Sequence, residues 1–364
     1  MKVRCAIGLG AVNTPSGFDL YACHLRGRVF DAHALAEPGL VELLCLCADW
    51  QEEQVAVEHL AAGAGASPAA ARATIADLVE KGILVTDADP QTRQASDAAR
   101  ERWRSRGWED AFFYQLETNV RPKLDYSDPG EAAKDVRLMK EHVGAGAPPD
   151  NYKILPDRPL LPLGERPALA HLSLAEAFKA PVARSEPSGP LSLEELSWIT
   201  SLAFGQTHVR RLPVTGAHVA KTSPSGGSRH PTEVYPVVLA VEGVEPGLYH
   251  YNVRDNALEL LRPGAHLEFV REHVTLHRNR PAFEPKVAYL HATLFERSMF
   301  RYRDAFSYRV MHHDLGHLMQ TTALLASAVG RSSYRCYALA DSAVDELLGI
   351  DGIHEAAMTC TLVG

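Results

Sequence analysis

Lys221-Thr222-Ser223-Pro224-Ser225-Gly226-Gly227-Ser228-Arg229-His230-Pro231, followed by Glu233 and Tyr235, is the stretch on which the reading of this chain turns. Within eleven residues it offers hydroxyls, flexible backbone and two or three cations. A Ser- and Gly-rich turn lets backbone N–H groups approach an anion or a planar ring closely, and Lys221 adds charge suited to a phosphate. By composition alone the same run also reads as a plain polar loop. The residues that follow, Val234 to Val241, are apolar on both faces and predict a strand buried on both sides. Pro236 is a tension there, because proline cannot donate to a ladder and prefers an edge or a bulge.

Outward from this stretch, Leu248 to Val253 and Ala257 to Leu261 flank Arg254-Asp255-Asn256 and predict a hairpin. A long helix is expected over Asp304 to Val329, with Met311, Leu315, Leu318, Met319, Thr322, Leu325, Ala326 and Val329 as its stripe. Ser192 with Glu195 three residues on is a capping box opening a helix to Ala203, and Ser173 to Lys179 reads as another helix. At the other end, Val41 to Cys47, Gln51 to Ala62 and a stretch capped by Ser67 with Pro68 at its first position predict three helices. Gly82 ends the third and Ile83-Leu84-Val85 starts a strand, together the outline of a winged helix. The domain reading is therefore 1–90 winged-helix-like, 91–167 a helical and Pro-rich connector, and 168–364 an α+β domain in which helix and strand alternate.

The chain has 364 residues, 46% hydrophobic and 23% charged, with 37 Lys plus Arg against 45 Asp plus Glu and a net charge of −8. That balance opposes a protein that coats nucleic acid. No apolar run approaches the roughly 20 residues of a membrane span. The apolar run after Met1-Lys2-Val3-Arg4 carries two glycines and stops at Asn13, which reads against a signal peptide. Six cysteines are too sparse for a disulfide scaffold and suit free thiols in a cytoplasmic protein.

The run 221–235, followed by Gly243, Pro246-Gly247-Leu248-Tyr249-His250-Tyr251, resembles the flavin-binding segment of SagB-type dehydrogenases. These are nitroreductase-like FMN enzymes that include azoline oxidases and peptide maturation dehydrogenases. Tyr308-Arg309, the run Asp314 to Thr321, Leu348-Gly349-Ile350-Asp351 and Glu355 fit the same family in order and spacing, over about 190 residues from Leu174 onward. The resemblance implies a nitroreductase-like α+β homodimer with FMN at the subunit interface. It also implies FMN contacts from Lys221, Ser223, Pro224, Ser225, Gly226 and Gly227, and a peptide or carrier-bound substrate. In azoline oxidases a Lys-Tyr pair before the long helix is associated with catalysis, and Arg301-Tyr302 stands in that place here.

Three departures accompany the resemblance. Making a heteroaromatic ring from an azoline needs loss of a hydride to flavin and of a proton to a base. A lysine can be tuned to act as that base and a guanidinium cannot, which leaves Tyr302, assisted by Arg301. The family's arginine-rich phosphate clamp is reduced to Lys179 and Arg184. Gly330-Arg331-Ser332-Ser333-Tyr334-Arg335 replaces a small, glycine-rich segment. The leading expectation is thus an FMN-dependent dehydrogenase of a peptide or amino-acid-derived substrate in natural-product biosynthesis, azoline to azole being one form. A catalytically lapsed relative acting as a binding partner, and a winged-helix DNA-binding regulator, are the alternatives. The third helix carries only Arg72 and Lys81 against Asp77 and Glu80, so the N-terminal module suits peptide recognition by strand addition better than DNA.

Smaller motifs read as structural. His313 and His317 have i, i+4 spacing but no convincing third ligand, so no metal is expected and His317 reads as a hydrogen-bonded residue. Cys45 and Cys47 point in different directions on a helix and read as packing. Gly8-Leu9-Gly10 lacks the third glycine of a dinucleotide fingerprint.

Overall fold

The computed structural model describes residues 1–6, 39–88, 98–119, 127–165, 178, 189–276 and 280–364, together with the backbone of 9–14 and 17–22. The expected helix Ser173 to Lys179, the candidate phosphate residues Lys179 and Arg184, and Gly8 lie outside the described residues or reach beyond them. The chain forms two compact units, Met1–Leu124 and Asp125–Gly364. The division falls inside the stretch read as a connector.

In the first unit, strand β1 (Lys2–Cys5) precedes a hairpin of β2 (Leu9–Thr14) and β3 (Gly17–Ala22). Helix α1 (Leu40–Leu46), β4 (Gln51–Glu52), α2 (Glu53–Ala64), α3 (Pro68–Glu80), β5 (Leu84–Thr86) and α4 (Glu109–Asn119) follow. Ser67 caps α3 by accepting from the Ala70 N–H at 3.2 Å, with Pro68 at the first turn, as the sequence predicts. Val3, Leu43, Val57, Ile75, Leu78 and Leu84 make the core. The three strands pair antiparallel in the order β4-β1-β5, so β5 pairs with the N-terminal strand. Cys47 is buried and Cys45 exposed.

The second unit opens with α5 (Pro129–Ala145), which buries none of its residues, and an extended segment leading to β6 (Leu160–Pro162). Then come α6 (Leu193–Phe204), the hairpin of β7 (Gln206–Leu212) and β8 (Gly216–Lys221), and β9 (Thr232–Val238). The hairpin of β10 (Gly247–Asn252) and β11 (Ala257–Pro263), then β12 (Val287–Leu294), α7 (Glu296–Met299) and α8 (Phe306–Ala328) follow. β13 (Ser333–Cys336), α9 (Asp341–Leu348) and β14 (Glu355–Val363) close the unit. Seven strands form one antiparallel sheet in the order β13-β14-β12-β9-β10-β11-β6. Helices α6 and α8 pack on one face, where Ile199, Phe204, Leu318 and Ala326 meet Val234, Tyr251 and Tyr289. On the other, Val270, Val274, Val344 and Leu347 meet Val237, Leu248, Leu290 and Leu362.

β9 is buried along its whole length, as its apolar run predicts. Pro236 is accommodated because the ladder to β10 uses only Val237 and Val238, so no bond to that strand is asked of Pro236. The capping box is present in both directions: Glu195 N–H donates to Ser192 Oγ at 3.1 Å and Ser192 N–H to Glu195 Oε2 at 2.7 Å. Among the described residues no helix is long and apolar enough to cross a membrane.

Candidate functional site

The polar loop 222–231 joins β8 to the central strand β9 and lies along the long helix α8. Ser225 Oγ donates to Asp314 Oδ2 at 2.6 Å and the Gly226 N–H to Asp314 Oδ1 at 3.1 Å. Ser223 Oγ donates to Thr321 Oγ1 at 2.7 Å, and His317 Nδ1 is 3.2 Å from the Pro224 carbonyl. Asp314, His317 and Thr321 are spaced to share one helix face, so α8 carries a polar stripe for the loop beside its apolar stripe for the core. Burial alone raises the Asp314 carboxyl, against which the Ser225 and Gly226 donors work, and the net shift is upward.

The two glycines answer to the protein's own side chains. A Cβ on Gly226 would lie 2.2 Å from Val310 Cγ1, and one on Gly227, at φ +60°, would lie 2.0 Å from the Tyr302 hydroxyl. The loop therefore closes on Val310 and Tyr302, where the sequence suggested room for a ligand.

Tyr302 is bracketed by two guanidinium groups. Arg301 lies over its ring, 5.0 Å from the centroid, and Arg229 lies close to its hydroxyl. Arg301 has its own partner: its Nη2 is 2.7 Å from both carboxylate oxygens of Asp135 on α5, with both side chains largely buried. Arg229 has no carboxylate within ion-pair distance, and its buried Nε has no partner among the described residues. Burial and then Arg301 hold Arg229 below the usual guanidinium range.

More positive charge gathers around the loop. Arg210 Nη2 donates to Ser228 Oγ at 2.7 Å. Burial lowers Lys221 to about 8, with Arg297 adding and Glu233 opposing. His230 is pushed down to about 3 by burial, then by Lys221, Arg297 and Arg210. His218 is lowered by burial, then by Arg229 and Arg210. These cations depress neighbouring bases because few carboxylates stand among them.

A second polar cluster lies on the same sheet, and there the charges are matched. Fully buried His250 meets Glu259 at 2.7 Å through Nδ1 and Glu233 at 3.0 Å through Nε2. Arg297 Nη1 is 2.5 Å from Glu233. Burial opposes protonation of His250, yet the two carboxylates raise its pKa above the usual value. Burial alone would raise Glu233, but Arg297, His250 and Lys221 hold it well below the carboxylate range. The extended segment after α5 closes over this cluster: Lys153 bonds Glu355 and the Tyr235 hydroxyl, and the Asp150 carbonyl accepts from Arg297 Nε at 2.9 Å.

Two cavities border the loop. The larger, about 480 Å³, is lined by Phe295, Phe300, Tyr302, Tyr308 and Met311 among others. The smaller, about 190 Å³, is lined by residues that include Asn151, Thr215, His218, Arg229 and Arg297. The Tyr302–Arg229 contact links them. Among the described residues no group of three or more His, Cys, Asp or Glu is placed to hold a metal.

The structure thus brings Lys221, Ser223, Pro224, Ser225, Gly226, Gly227, Tyr302 and Arg301 to one region. Sequence reasoning missed Arg210 and Asp135 as parts of it, and met Arg229 and Asp314 only as members of the loop run and of a family motif. Asp314 was visible as a polar position in helical register with His317 and Thr321. Asp135 left no local signal, lying 166 positions from Arg301.

Residues 188–364 match the nitroreductase family. The chain is 33% identical over 262 residues to the trifolitoxin-processing protein TfxB of Rhizobium leguminosarum bv. trifolii, covering 70% of this chain and 69% of that protein. It is 32% identical over 164 residues to the nitroreductase-type protein MJ1384 of Methanocaldococcus jannaschii, covering 45% of this chain and 77% of that one. A nitroreductase-type structure from Anabaena variabilis overlays with a TM-score of 0.48 at 21% identity, over 64% of this chain and 45% of its own. On the match to TfxB and the family's span of the sheet and the long helix, the chain belongs to the nitroreductase family, on its SagB-type branch.

Proposed function

We propose that this chain is an FMN-dependent oxidoreductase that dehydrogenates a peptide or peptide-derived substrate, azoline to azole being the form the site suits. The observation that carries this reading is Tyr302, held between Arg229 and Gly227 in the wall of a cavity large enough for a planar ring system. The processing role named for TfxB supports a peptide as substrate. The residues present fit an anionic flavin: Lys221, Arg210 and Arg229 form no ion pair with a carboxylate among the described residues, so a phosphate-bearing cofactor would complete their charge. FMN, when bound, supplies a two-electron acceptor at N5 of its ring.

The protein's part is orientation and proton handling. The Lys221 to Gly227 loop would face the cofactor with its outer surface, since the Ser223 and Ser225 hydroxyls and the Gly226 N–H are spent on α8. Tyr302 Oη would take the substrate's proton, with Arg229 fixing where that oxygen points. Arg301, paired with Asp135, keeps the Tyr302 ring in place and takes no proton. Lys221, lowered to about 8, is the loop's own group able to exchange a proton near neutral pH. The first unit would hold the peptide, with β5 at the edge of its sheet available for strand addition. A homodimer is part of this reading, and the exposed face of α5, with Val136 and Leu138, is open to it.

The test is the visible spectrum of the purified protein and its titration with FMN. A yellow protein, or one that takes up FMN, is expected, and Tyr302→Phe should lower turnover about a hundredfold with flavin retained. A colourless protein that refuses FMN overturns the proposal. A second reading, a lapsed relative that binds peptide without chemistry, is favoured by the Arg301–Asp135 pair standing where relatives have a lysine. Flavin uptake with no effect of Tyr302→Phe on any turnover would select it.

A further inference from the structure

Every residue of strand β7 from Thr207 to Leu212 is exposed, while β8 beside it buries His218 and Val219. Side chains alternate along a strand, so an unbroken exposed run puts both faces of β7 in water. Among the described residues β7 pairs with β8 alone, which leaves its outer N–H and C=O groups as a template for another chain. Val209 and Leu212, 43% and 44% exposed, add apolar surface to that edge.

The edge also has a definite charge. From Leu196 to Thr232 the sequence contains no Asp or Glu, against Arg210, Arg211, Lys221 and Arg229, in a chain whose net charge is −8. Arg210 and Arg211 are neighbours and so stand on opposite faces of β7. Arg210 turns to Ser228 of the polar loop, and Arg211 shares the other face with Val209, beside Ala217 and Val219 of β8. A strand added at this edge meets a cation on either face. Two copies of β7 suit each other poorly, because pairing them in register sets the arginines of one against those of the other. Single-stranded nucleic acid is also poorly served, since residues 206–221 include no Phe, Tyr or Trp on which bases could stack. An extended acidic peptide answers the open edge, the cations and the apolar residues together. From this hairpin β8 runs directly into the 221–231 loop, where Gly227 lies against the Tyr302 hydroxyl.

We propose that the outer edge of β7 binds an extended, acidic segment of the peptide substrate by strand addition, beside the loop that carries the candidate site. That this peptide is the substrate rests on the proposed function; the edge and its charge do not.

The test titrates the full chain by fluorescence anisotropy with a fluorescein-labelled octapeptide of alternating threonine and glutamate, its lysine counterpart and a labelled oligothymidine. The glutamate peptide should bind at least about tenfold more tightly than the lysine peptide. Arg211→Gln should weaken it about two- to fivefold and Arg211→Glu about tenfold, the range of cross-strand charge pairs. Far-UV circular dichroism checks folding, and Arg211→Gln alone decides the point if Arg211→Glu does not fold. Two further glutamate peptides, N-methylated at the threonines or at the glutamates, separate strand pairing from charge attraction. One of them should lose about tenfold or more in affinity, because only alternate N–H groups of an added strand face β7. Equal affinity for the glutamate and lysine peptides, or full affinity for both N-methylated peptides, overturns the proposal. So does oligothymidine bound more tightly than peptide through Arg211. Arg211-dependent binding of the glutamate peptide by a protein that takes no FMN supports the edge and overturns the flavin reading. A flavoprotein indifferent to peptide charge does the reverse.

Discussion

Two charged regions share the second unit and differ in how their charges are met. Around His250 every charge has its opposite: two carboxylates on one imidazole, Arg297 on Glu233, Lys153 on Glu355. Around the 221–231 loop the cations depress their neighbours, and Arg229 and Lys221 form no ion pair among the described residues. Matched buried charges hold a sheet and strap in one arrangement, since losing one member strands the rest. On the proposed function, the unmatched ones are completed by the cofactor's phosphate. The same contrast separates the two arginines at Tyr302: among the described residues Arg301 has Asp135, and Arg229 has no carboxylate.

The largest effect expected from breaking this contrast is at Glu233. Glu233→Gln strands Arg297 and His250, and unfolding in urea should show a loss of about 3–5 kcal/mol. A loss under about 1 kcal/mol would mean that the network is not what holds the sheet face. Gly226→Ala should lose about 1–3 kcal/mol through collision with Val310. Val310→Ala should restore most of it in the double variant, and additive losses would show that the loop is not limited by that contact.

Asp135→Asn should cost about 1–3 kcal/mol by leaving Arg301 without its partner. It should also raise amide exchange in α5, which buries no residue of its own. Exchange confined to α8 would assign Arg301 a different role. Ser192→Ala removes half of the capping box, and thermal melts should report about 1 kcal/mol.

The pH dependence sharpens the comparison with smaller effects. Glu233 has a depressed pKa, so its contribution is present above the ordinary glutamate value of 4.5 and is lost as pH falls through its lower folded value. His250 has a raised pKa, so its contribution is present below 6.5 and lost as pH rises through its higher folded value. Denaturant midpoints measured across pH should therefore fall on both sides of that window. His250→Gln should flatten the alkaline side, and an unchanged alkaline limb would place the titrating group elsewhere.

Features set by neighbours in the chain were legible in the sequence. Ser67, Ser192 and Glu195 cap the helices they were expected to cap, and the Met311 to Ala326 stripe faces the core. The hairpin across Arg254-Asp255-Asn256 forms where its turn predicts. The polar loop was recognised, but the reason for its glycines was not. Gly226 and Gly227 also make room for Val310 and Tyr302, which lie far along the chain.

By itself the sequence determined the elements, the family resemblance through its motifs, and the candidate pair Arg301-Tyr302, because capping, periodicity and motif order are local properties. Only the tertiary structure decided which charges are matched. Whether an arginine is a strut or a ligand-binding cation depends on whether a carboxylate lies within about 4 Å, and among the described residues chain folding brings Asp135 to Arg301 and none to Arg229.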